Sequence, residues 1–477
     1  MPEVLKPDLC VIGAGPGGLA TAAGAAAIGA SVVLIERGAT GGAALNAGGA
    51  ASKALVAAAR GAYFCQNAGR FGFKEGRGKI EFLNTHAHIR DVVRSLAPNA
   101  SRDRIVGLGV RVIAGSAAFR DRHTVIVGNA YEIAAKKFVI ATGAADVAPM
   151  IAGLDGVPHY TSETIFDLIH CPKQLIILGG SPYVLELAQA HRRLGAEVTI
   201  LTDAPPLAQA DPECAAIVLD QLAREGVVIR TGVTVLRAER VRPRVRVIIA
   251  GEDRVEEEVE GSHLLVMPDR LPDLAALNLA AAGVAPRANG IVVNKRLRTN
   301  NKKVYAIGDA VAGSRQSVQV ATHHAALVVR AAVSGLAVDH RSTPVPSVTY
   351  TDPELAQIGL DEAAAKGKKR AIRCLRWGFH DNDRARAEDI VQGHVKVMTN
   401  PEGRILGVAI VGGQASEMIS LWTLAIAEGL NIRAMQRLVT PYPTLAEISQ
   451  RAAMGYDAGT APPSRVARLM SFLRRSR

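Results

Sequence analysis

The sequence predicts an α/β fold built on two units of strand, tight turn, helix and strand. The first unit is DLCVIGAGPGGLATAAGAAAIGASVVLIE, from Asp8 to Glu36, and the second is KQLIILGGSPYVLELAQAHRRLGAEVTILTD, from Lys173 to Asp203. Each begins with a short apolar run, passes through a glycine turn into an apolar helical pattern, and ends in a second apolar run. This order is typical of Rossmann-like dinucleotide-binding domains.

The first turn carries the full dinucleotide fingerprint. Gly13, Gly15 and Gly18 have the GxGxxG spacing, and Glu36 ends the second strand. The first glycine permits a tight turn, the second lets the backbone approach a pyrophosphate, and the third allows close packing of helix on strand. We therefore expect a pyrophosphate at the helix N-terminus, with the acid accepting a hydrogen bond from a ribose hydroxyl.

The second turn has only part of this fingerprint. Gly179 keeps the first position, but Ser181 and Val184 replace the second and third glycines. Two interpretations stay open: a unit that binds a nicotinamide nucleotide, and one that has lost binding. An NADP site usually has an arginine for the 2′-phosphate, whereas NAD requires an acid. Asp203 ends this unit and residues 202–210 contain no arginine, so we favour NADH over NADPH.

The net charge of +12 raises the question of nucleic-acid binding. The basic residues of 237–246 alternate with valines and precede the acidic run EEEVE at 256–260. This pattern predicts cross-strand charge pairs in a solvated hairpin rather than a nucleic-acid surface. The tail 461–477 differs, because it carries five arginines and no acid from residue 464 onward. It fits a basic amphipathic helix with weak membrane-surface contact, but also a disordered or docked terminus.

Cysteine spacing and hydropathy indicate the compartment. The five cysteines form no CxxC pair and no metal-like spacing, so we expect no metal site. Residues 9–35 lack charge, but glycines and a proline at 13–18 divide this run into strands and a helix, which excludes a membrane span. No basic region precedes the run, as a secretory signal would require. We therefore expect a cytoplasmic protein.

The stretch GGAALNAGGAASKAL, from Gly41 to Leu55, indicates the chemistry that the two units serve. It resembles the GGTCLNxGCxPSK segment of FAD-dependent pyridine nucleotide–disulfide oxidoreductases. Both cysteines of that segment are absent, since Ala44 and Gly49 stand at their positions and Ala51 replaces the proline. If the backbone keeps its course, these small residues leave space beside the flavin.

The resemblance implies FAD and NAD(P)H as cofactors. Lys53 matches the lysine near the reactive flavin nitrogen N5, and Glu186 matches the glutamate that pairs with it. Further matches are the segments at 138–144, 266–279 and 297–310. Motif and resemblance together assign to FAD binding Gly13, Gly15, Gly18, Glu36, Gly42, Lys53, Thr142, Gly143, Arg270 and Asp309, and to the nicotinamide cofactor Gly179, Ser181 and Asp203.

Residues 344–460 resemble the dimerisation domain of the same family. In that family the segment matching PYPTLAEISQRAA at 441–453 reaches the partner's flavin, which implies a homodimer. Tyr442 stands at the position of the family's histidine, Glu447 is retained, and both join Lys53 and Glu186 as candidate catalytic residues. The implied division is 1–146 and 265–343 for FAD, 147–264 for NAD(P), 344–460 for dimerisation, and the tail 461–477.

The missing cysteines limit the function. Thiol–disulfide exchange needs a thiolate, and a phenol with a pKa of about 10 accepts protons poorly near neutrality. We therefore expect electrons to pass from reduced flavin directly to a small-molecule, quinone-like acceptor, not dihydrolipoamide dehydrogenase or mercuric reductase activity. The alternatives are a soluble pyridine nucleotide transhydrogenase and, in another class, a non-catalytic FAD-binding scaffold or redox sensor.

Overall fold

The computed structural model describes residues 1–46, 48–73, 80–147, 149–367 and 371–458, so the basic tail 461–477 lies outside the described residues. The chain forms two units. The first contains Met1–Pro205 and Gly226–Ser342, and the second contains Pro206–Glu225 and the chain from Thr343 onward. Within the described part of the chain, no helix is long and apolar enough to cross a membrane.

Residues 1–146 alternate short strands and helices. In chain order they form β1 (Glu3–Leu5), β2 (Leu9–Ile12), α1 (Pro16–Ala27), β3 (Val32–Glu36), α2 (Gly42–Asn46), α3 (Gly49–Gln66), α4 (Phe82–Leu96), α5 (Arg102–Gly107), β4 (Arg111–Ala114), β5 (Ala117–Asp121), β6 (Thr124–Val127), β7 (Tyr131–Ile133), β8 (Lys137–Ile140) and β9 (Ala144–Asp146).

The next segment contains a second alternation of strand and helix, of which only one helix belongs to the second unit. Its elements are β10 (Gln174–Leu178), α6 (Pro182–Arg193), β11 (Glu197–Leu201), α7 (Pro212–Arg224, second unit), β12 (Val227–Arg230), β13 (Thr234–Val241), β14 (Arg244–Ala250), β15 (Glu256–Gly261), β16 (His263–Val266), β17 (Arg270–Pro272), β18 (Pro286–Arg287), β19 (Gly290–Ile291), β20 (Val304–Ala306) and α8 (Val318–Ala332).

The remaining elements all belong to the second unit. They are β21 (Ser347–Thr349), β22 (Glu354–Gly359), α9 (Glu362–Gly367), β23 (Arg373–Gly378), α10 (Asp383–Ala387), β24 (His394–Thr399), β25 (Ile405–Gly412), α11 (Ala415–Ala427), α12 (Ile432–Gln436) and α13 (Ala446–Ala458).

Two parallel sheets form the frame of the first unit and confirm the predicted α/β class. One has the strand order β20-β8-β2-β3-β4, and the other has the order β12-β11-β10-β16. Every residue of β2 is buried, as expected for a central strand covered on both faces. Helix α1 connects β2 to β3 and α6 connects β10 to β11, so both predicted strand–turn–helix–strand units are present.

The basic cluster at 237–246 forms the predicted cross-strand pairs. Strands β13, β14 and β15 make an antiparallel sheet in which Arg246 lies opposite Glu260. Arg246 Nη2 is 2.9 Å from Glu260 Oε1, and Arg237 Nη1 is 2.8 Å from Glu256 Oε2. The acidic strand thus neutralises much of the charge that the basic cluster would otherwise present.

The second unit is built on the antiparallel sheet β21-β22-β25-β24-β23. Trp422 of α11 is fully buried in its core, and its Nε1 donates to Ser449 Oγ of α13 at 3.1 Å. Pairing the indole N–H satisfies a polar group that would otherwise be buried without a partner.

A buried lysine joins residues 206–225 to this sheet. Lys396 of β24 is 1% exposed, and its Nζ lies 2.8 Å from Asp211, 3.1 Å from Glu213 and 2.9 Å from Glu362. Burial alone would lower the pKa of Lys396, but the hydrogen bonds that its ammonium group donates to these carboxylates raise it. Through these contacts residues 206–225 belong to the second unit, although they lie within the range 147–264 expected for the nucleotide domain.

We expect Lys396→Met to destabilise the second unit by about 3–5 kcal/mol, because it removes the cation that balances the charge of the fully buried Asp211 carboxylate. The matched control is Arg376→Met, which breaks the half-exposed pair with Glu213 and should change stability by only about 0–1 kcal/mol. Urea unfolding followed by tryptophan fluorescence measures both, since Trp377 and Trp422 both lie in the second unit. Equal losses in the two variants would contradict the assignment.

Candidate dinucleotide and redox site

Close backbone contacts shape the first turn. Gly18 lies against the carbonyl of Gly13, and a Cβ at residue 18 would overlap the Gly13 carbonyl oxygen. Gly42 has a φ of +56°, and a Cβ there would lie 2.7 Å from the Cα of Gly15. Because no side chain separates these backbones, the turn between β2 and α1 stays open to a ligand.

Helix α1 provides the anion-binding end that the fingerprint predicts. It begins at Pro16 with Gly15 as its N-cap, has no side-chain cap, and has no acidic residue in its first turn. The first N–H groups of a helix lack partners within it and carry a partial positive charge, which suits a pyrophosphate. Glu36 lies beside this end, where its carboxylate accepts hydrogen bonds from Ala14 N at 2.6 Å and from Gly38 N at 2.8 Å.

Two polar groups in the first unit fit a bound dinucleotide. Thr142 follows β8, next to Gly143, and its Oγ1 is buried with no hydrogen-bond partner among the described residues. Burial raises the pKa of Asp309, which lies in the turn Gly308–Ala310. Arg270 instead binds protein groups, since its Nη2 donates to Ala144 O at 2.7 Å and its Nε lies 3.2 Å from Asp146 Oδ1.

Lys53 of α3 and Glu186 of α6 form an ion pair between Nζ and Oε2. Glu186 is only 4% exposed, whereas Lys53 is 41% exposed. The pair joins α3, which begins within the stretch 41–55, to α6, the helix of the second nucleotide unit. The structure therefore brings together the two residues that the sequence assigned as partners.

In the second nucleotide turn, the two residues that replace glycines make contacts within the protein itself. Ser181 is the N-cap of α6, and its Oγ accepts from Val184 N at 3.4 Å. Val184 is fully buried at the position of the third glycine. Gly179 keeps a φ of +127°, and Asp203 is exposed just beyond β11. The serine thus caps the helix, and the exposed carboxylate remains available to a ligand.

The chain shares its sequence family with known redox enzymes. Residues 7–325 match the family model described as pyridine nucleotide-disulphide oxidoreductase, and residues 345–453 match the dimerisation domain of that family. The chain belongs to the pyridine nucleotide-disulphide oxidoreductase family. Members use FAD and NAD(P)H as cofactors, and the chain is a flavin-dependent pyridine nucleotide oxidoreductase. Its dimerisation domain supports a homodimer.

Individual relatives agree with this assignment. The chain is 32% identical to mercuric reductase from Streptomyces lividans over 461 residues, which covers 95% of this chain and 97% of that protein. It is also 32% identical to dihydrolipoyl dehydrogenase from Thermus scotoductus over 94% of this chain and 96% of that protein. The structure of the HOCl-induced flavoprotein disulfide reductase RclA from Escherichia coli is similar, with a TM-score of 0.82, 26% identity, and coverage of 94% and 99%.

The turn that contains residues 44 and 49, where the resembling family segment has its two cysteines, is named the redox turn. Contacts between its own backbone atoms close this turn. Gly49 begins α3, and a Cβ there would lie 2.5 Å from Ala44 O and 2.8 Å from Ala44 Cα. Residues 44 and 49 are therefore neighbours, as two cysteines joined by a disulfide would be. A side chain at residue 49 would therefore meet the backbone of residue 44.

Tyr183 of α6 packs against the same turn, a contact that the sequence reasoning did not identify. Its hydroxyl donates to Gly48 O at 3.1 Å, and a Cβ at Gly48 would lie 2.5 Å from the tyrosine oxygen. Lys53 Nζ is 6.0 Å from the ring centroid. Burial raises the pKa of Tyr183, so the phenol is neutral. The sequence feature that could have indicated this contact is the dipeptide Pro182–Tyr183, which places a tyrosine in the first turn of α6 directly after the serine N-cap.

All five cysteines are free, and none lies in the redox turn. Burial raises the pKa of the thiols of Cys10, Cys171, Cys214 and Cys374, with Cys171 reaching about 11. Cys65, the remaining cysteine, is exposed near the end of α3. Among the described residues, no group of three or more histidine, cysteine, aspartate or glutamate side chains could hold a metal ion.

In the second unit, Tyr442 and Glu447 have different partners. The Tyr442 hydroxyl donates to Asp383 Oδ2 at 2.8 Å. The Glu447 carboxylate accepts from Arg451 Nη2 at 3.0 Å, one helical turn further along α13. Glu447 is therefore engaged by Arg451, and Asp383 is the acid bound to the tyrosine.

We expect Gly18→Ala to lower the FAD content of the purified protein strongly, because the new methyl group overlaps the Gly13 carbonyl. Gly24→Ala in the same helix is the control. A Cβ there would meet Val329 at an ordinary 3.5 Å, and alanine should stabilise the helix by about 0.5–1 kcal/mol. The ratio of flavin to protein absorbance measures the outcome, and normal FAD content in the Gly18 variant would refute the role of this contact.

Proposed function

We propose that the protein is an NAD(P)H oxidoreductase, with NADH favoured, that passes electrons from reduced FAD directly to a small quinone-like acceptor. The observation that carries this proposal is the closed turn at residues 44 and 49. Neither position has a thiol, and a side chain at residue 49 would meet the backbone of Ala44. A disulfide relay needs two thiols that can open and close at this point.

The entry of electrons is supported by the Lys53–Glu186 pair. FAD, when bound, supplies the two-electron chemistry, and the resemblance to the family assigns Lys53 to its reactive end. The buried Glu186 carboxylate holds the ammonium group in place, so its positive charge is preorganised. Such a charge favours the negative charge that develops when a hydride arrives.

The nucleotide preference follows from the end of β11. Asp203 is exposed there, and no arginine occurs in residues 202–210. A carboxylate accepts hydrogen bonds from the ribose hydroxyls of NADH, whereas it would repel a 2′-phosphate. These features support NADH as the preferred reductant.

The residues around the turn at 44 and 49 support the proposal that electrons leave the reduced flavin without passing through a thiol. Tyr183 binds the backbone of Gly48 with a neutral phenol, and four of the five cysteines have raised pKa values. Nothing in this arrangement activates a sulfur nucleophile. In a homodimer of the family type, Tyr442 of the second subunit would line the acceptor pocket.

Two other functions remain as outcomes of the test. A soluble pyridine nucleotide transhydrogenase would also transfer electrons without a disulfide, and it requires both nucleotides to reduce the flavin. A non-catalytic scaffold or redox sensor is favoured by the second turn, where Ser181 caps α6 and Val184 is buried at the position of a glycine.

Anaerobic titration of the purified protein with NADH, and separately with NADPH, tests the proposal. We expect one equivalent of NADH to bleach the flavin absorbance without a long-wavelength charge-transfer band from a thiolate, and quinones to restore the oxidised spectrum. Equal reduction by both nucleotides, with transfer between them, would favour the transhydrogenase. A flavin that neither nucleotide reduces would favour the scaffold.

Restoring the two cysteines should not restore disulfide chemistry. We expect Gly49→Cys, alone or combined with Ala44→Cys, to destabilise the protein by about 1–3 kcal/mol, because its side chain meets the Ala44 backbone. The Ala44→Cys single variant is the control, since this position already carries a Cβ. Thermal unfolding and titration with dithionite measure both effects, and uptake of four electrons by the stable double variant would refute the closed turn.

A further inference from the structure

Asp383 and Tyr442 form a pair that the second unit holds in a defined position. Asn382, which is 4% exposed, is the N-cap of α10, and its Oδ1 accepts from Ala385 N at 2.9 Å. Its Nδ2 donates to Thr444 O at 3.0 Å. One buried side chain therefore ties the start of α10, with Asp383, to the segment that carries Tyr442.

The pair itself faces outward. Tyr442 is 74% exposed, Asp383 is exposed, and their hydrogen bond is 2.8 Å long. An exposed polar pair contributes little to stability. In the proposed homodimer this exposed face would lie toward the partner subunit's acceptor pocket, where the ring would contact the acceptor.

The charge of Asp383 keeps the proton on the phenol. The hydrogen bond to Asp383 raises the pKa of Tyr442, and the negative charge of Glu447 raises it further. The hydroxyl therefore stays protonated below the ordinary tyrosine pKa of about 10, and the bond is lost only as the pH rises through the raised value.

The other charged groups around this pair are themselves paired. Arg384 binds Glu388, Arg386 donates to His380 O, Asp381 lies 3.2 Å from His380, and Glu447 accepts from Arg451. Among the described groups on α10, on the 379–381 turn and on α13, only Asp383 accepts a hydrogen bond directly from the Tyr442 hydroxyl.

We propose that Asp383 is a positioning residue that holds the Tyr442 hydroxyl as the proton donor to the electron acceptor, which is therefore an acceptor that takes up protons, such as a quinone. This inference rests on the proposed function. A tyrosine hydroxyl has one proton and can rotate, so it can turn from the carboxylate to an acceptor oxygen.

The reaction balances with the groups named. NADH loses a hydride and becomes NAD⁺, so the quinone gains two electrons and one proton by way of the flavin. Tyr442 donates the second proton to a quinone oxygen, which completes the hydroquinone, and recovers its proton from water. A one-electron acceptor without proton uptake, such as ferricyanide, bypasses this last transfer.

The first experiment measures the pair without any turnover. The difference in ultraviolet absorbance between the wild type and Tyr442→Phe isolates the ionisation of this phenol during a pH titration. We expect Asp383→Asn, compared with the Asp383→Asn/Tyr442→Phe double variant, to shift this ionisation to lower pH. Asp381→Asn, two residues away, should leave it unchanged. An unshifted titration in the Asp383 variant would overturn the pairing.

The second experiment separates proton transfer from electron transfer. General acid catalysis contributes about 10²–10⁴-fold, so Tyr442→Phe should lower kcat/KM for a benzoquinone at least about 10²-fold. Asp383→Asn should lower it about tenfold, which is less than the loss of about 10²–10⁴-fold expected when the acid itself is removed. Asp381→Asn should have no effect. Ferricyanide reduction, which needs no proton transfer, should fall much less than benzoquinone reduction in the Tyr442 and Asp383 variants, and it should stay unchanged in Asp381→Asn.

The outcomes distinguish the two proposals. Equal losses with benzoquinone and ferricyanide, or no loss with either, would overturn the role of Asp383. If NADH reduces the flavin but no quinone reoxidises it in the wild type, the proposed acceptor is wrong, and the titration of Tyr442 still decides whether Asp383 controls its proton.

Discussion

The ion pair of Lys53 and Glu186 is the interaction on which the redox site depends. A carboxylate that is 4% exposed is stable as an anion only with a partner, and Lys53 provides it. The pair fixes α3, which leaves the redox turn, against α6, which opens the second nucleotide unit. The position of the turn is thereby linked to that of the second nucleotide unit. Tyr183 strengthens this link, because it extends from α6 to the backbone of Gly48.

At residue 49 the turn has no room for a side chain. Alanine and glycine at residues 44 and 49 would leave a gap if the backbone were rigid, but the Gly49 backbone lies against Ala44 instead. Closing the gap restores the packing contacts that a void would forfeit. An acceptor of the proposed kind would therefore lie beside the turn, and not between residues 44 and 49.

Sequence patterns identified the elements with strong local signals. The glycine spacing predicted the first turn, the period of apolar residues predicted both parallel sheets, and alternating charge predicted the pairing of Arg246 with Glu260. The partners of isolated side chains were not predictable in this way. Tyr442 and Asp383 are 59 residues apart, and Lys396 meets Asp211 across an even longer interval. Their contacts depend on how loops pack in three dimensions, about which spacing along the chain carries no information.

The exchange of histidine for tyrosine fits the loss of the disulfide on acid–base grounds. Disulfide chemistry requires a group that accepts a proton from a thiol near neutral pH, and histidine does so because its pKa is close to 6.5. The pKa of Tyr442 is raised above an already high value, so the phenol stays protonated near neutral pH and presents no phenolate that could act as a base. Reduction of a quinone requires a proton donor and no base. In the proposed reaction, residue 442 would thus donate a proton to the acceptor instead of taking one from a thiol. The acid that binds this residue would be Asp383 rather than Glu447, because the Glu447 carboxylate accepts a hydrogen bond from Arg451.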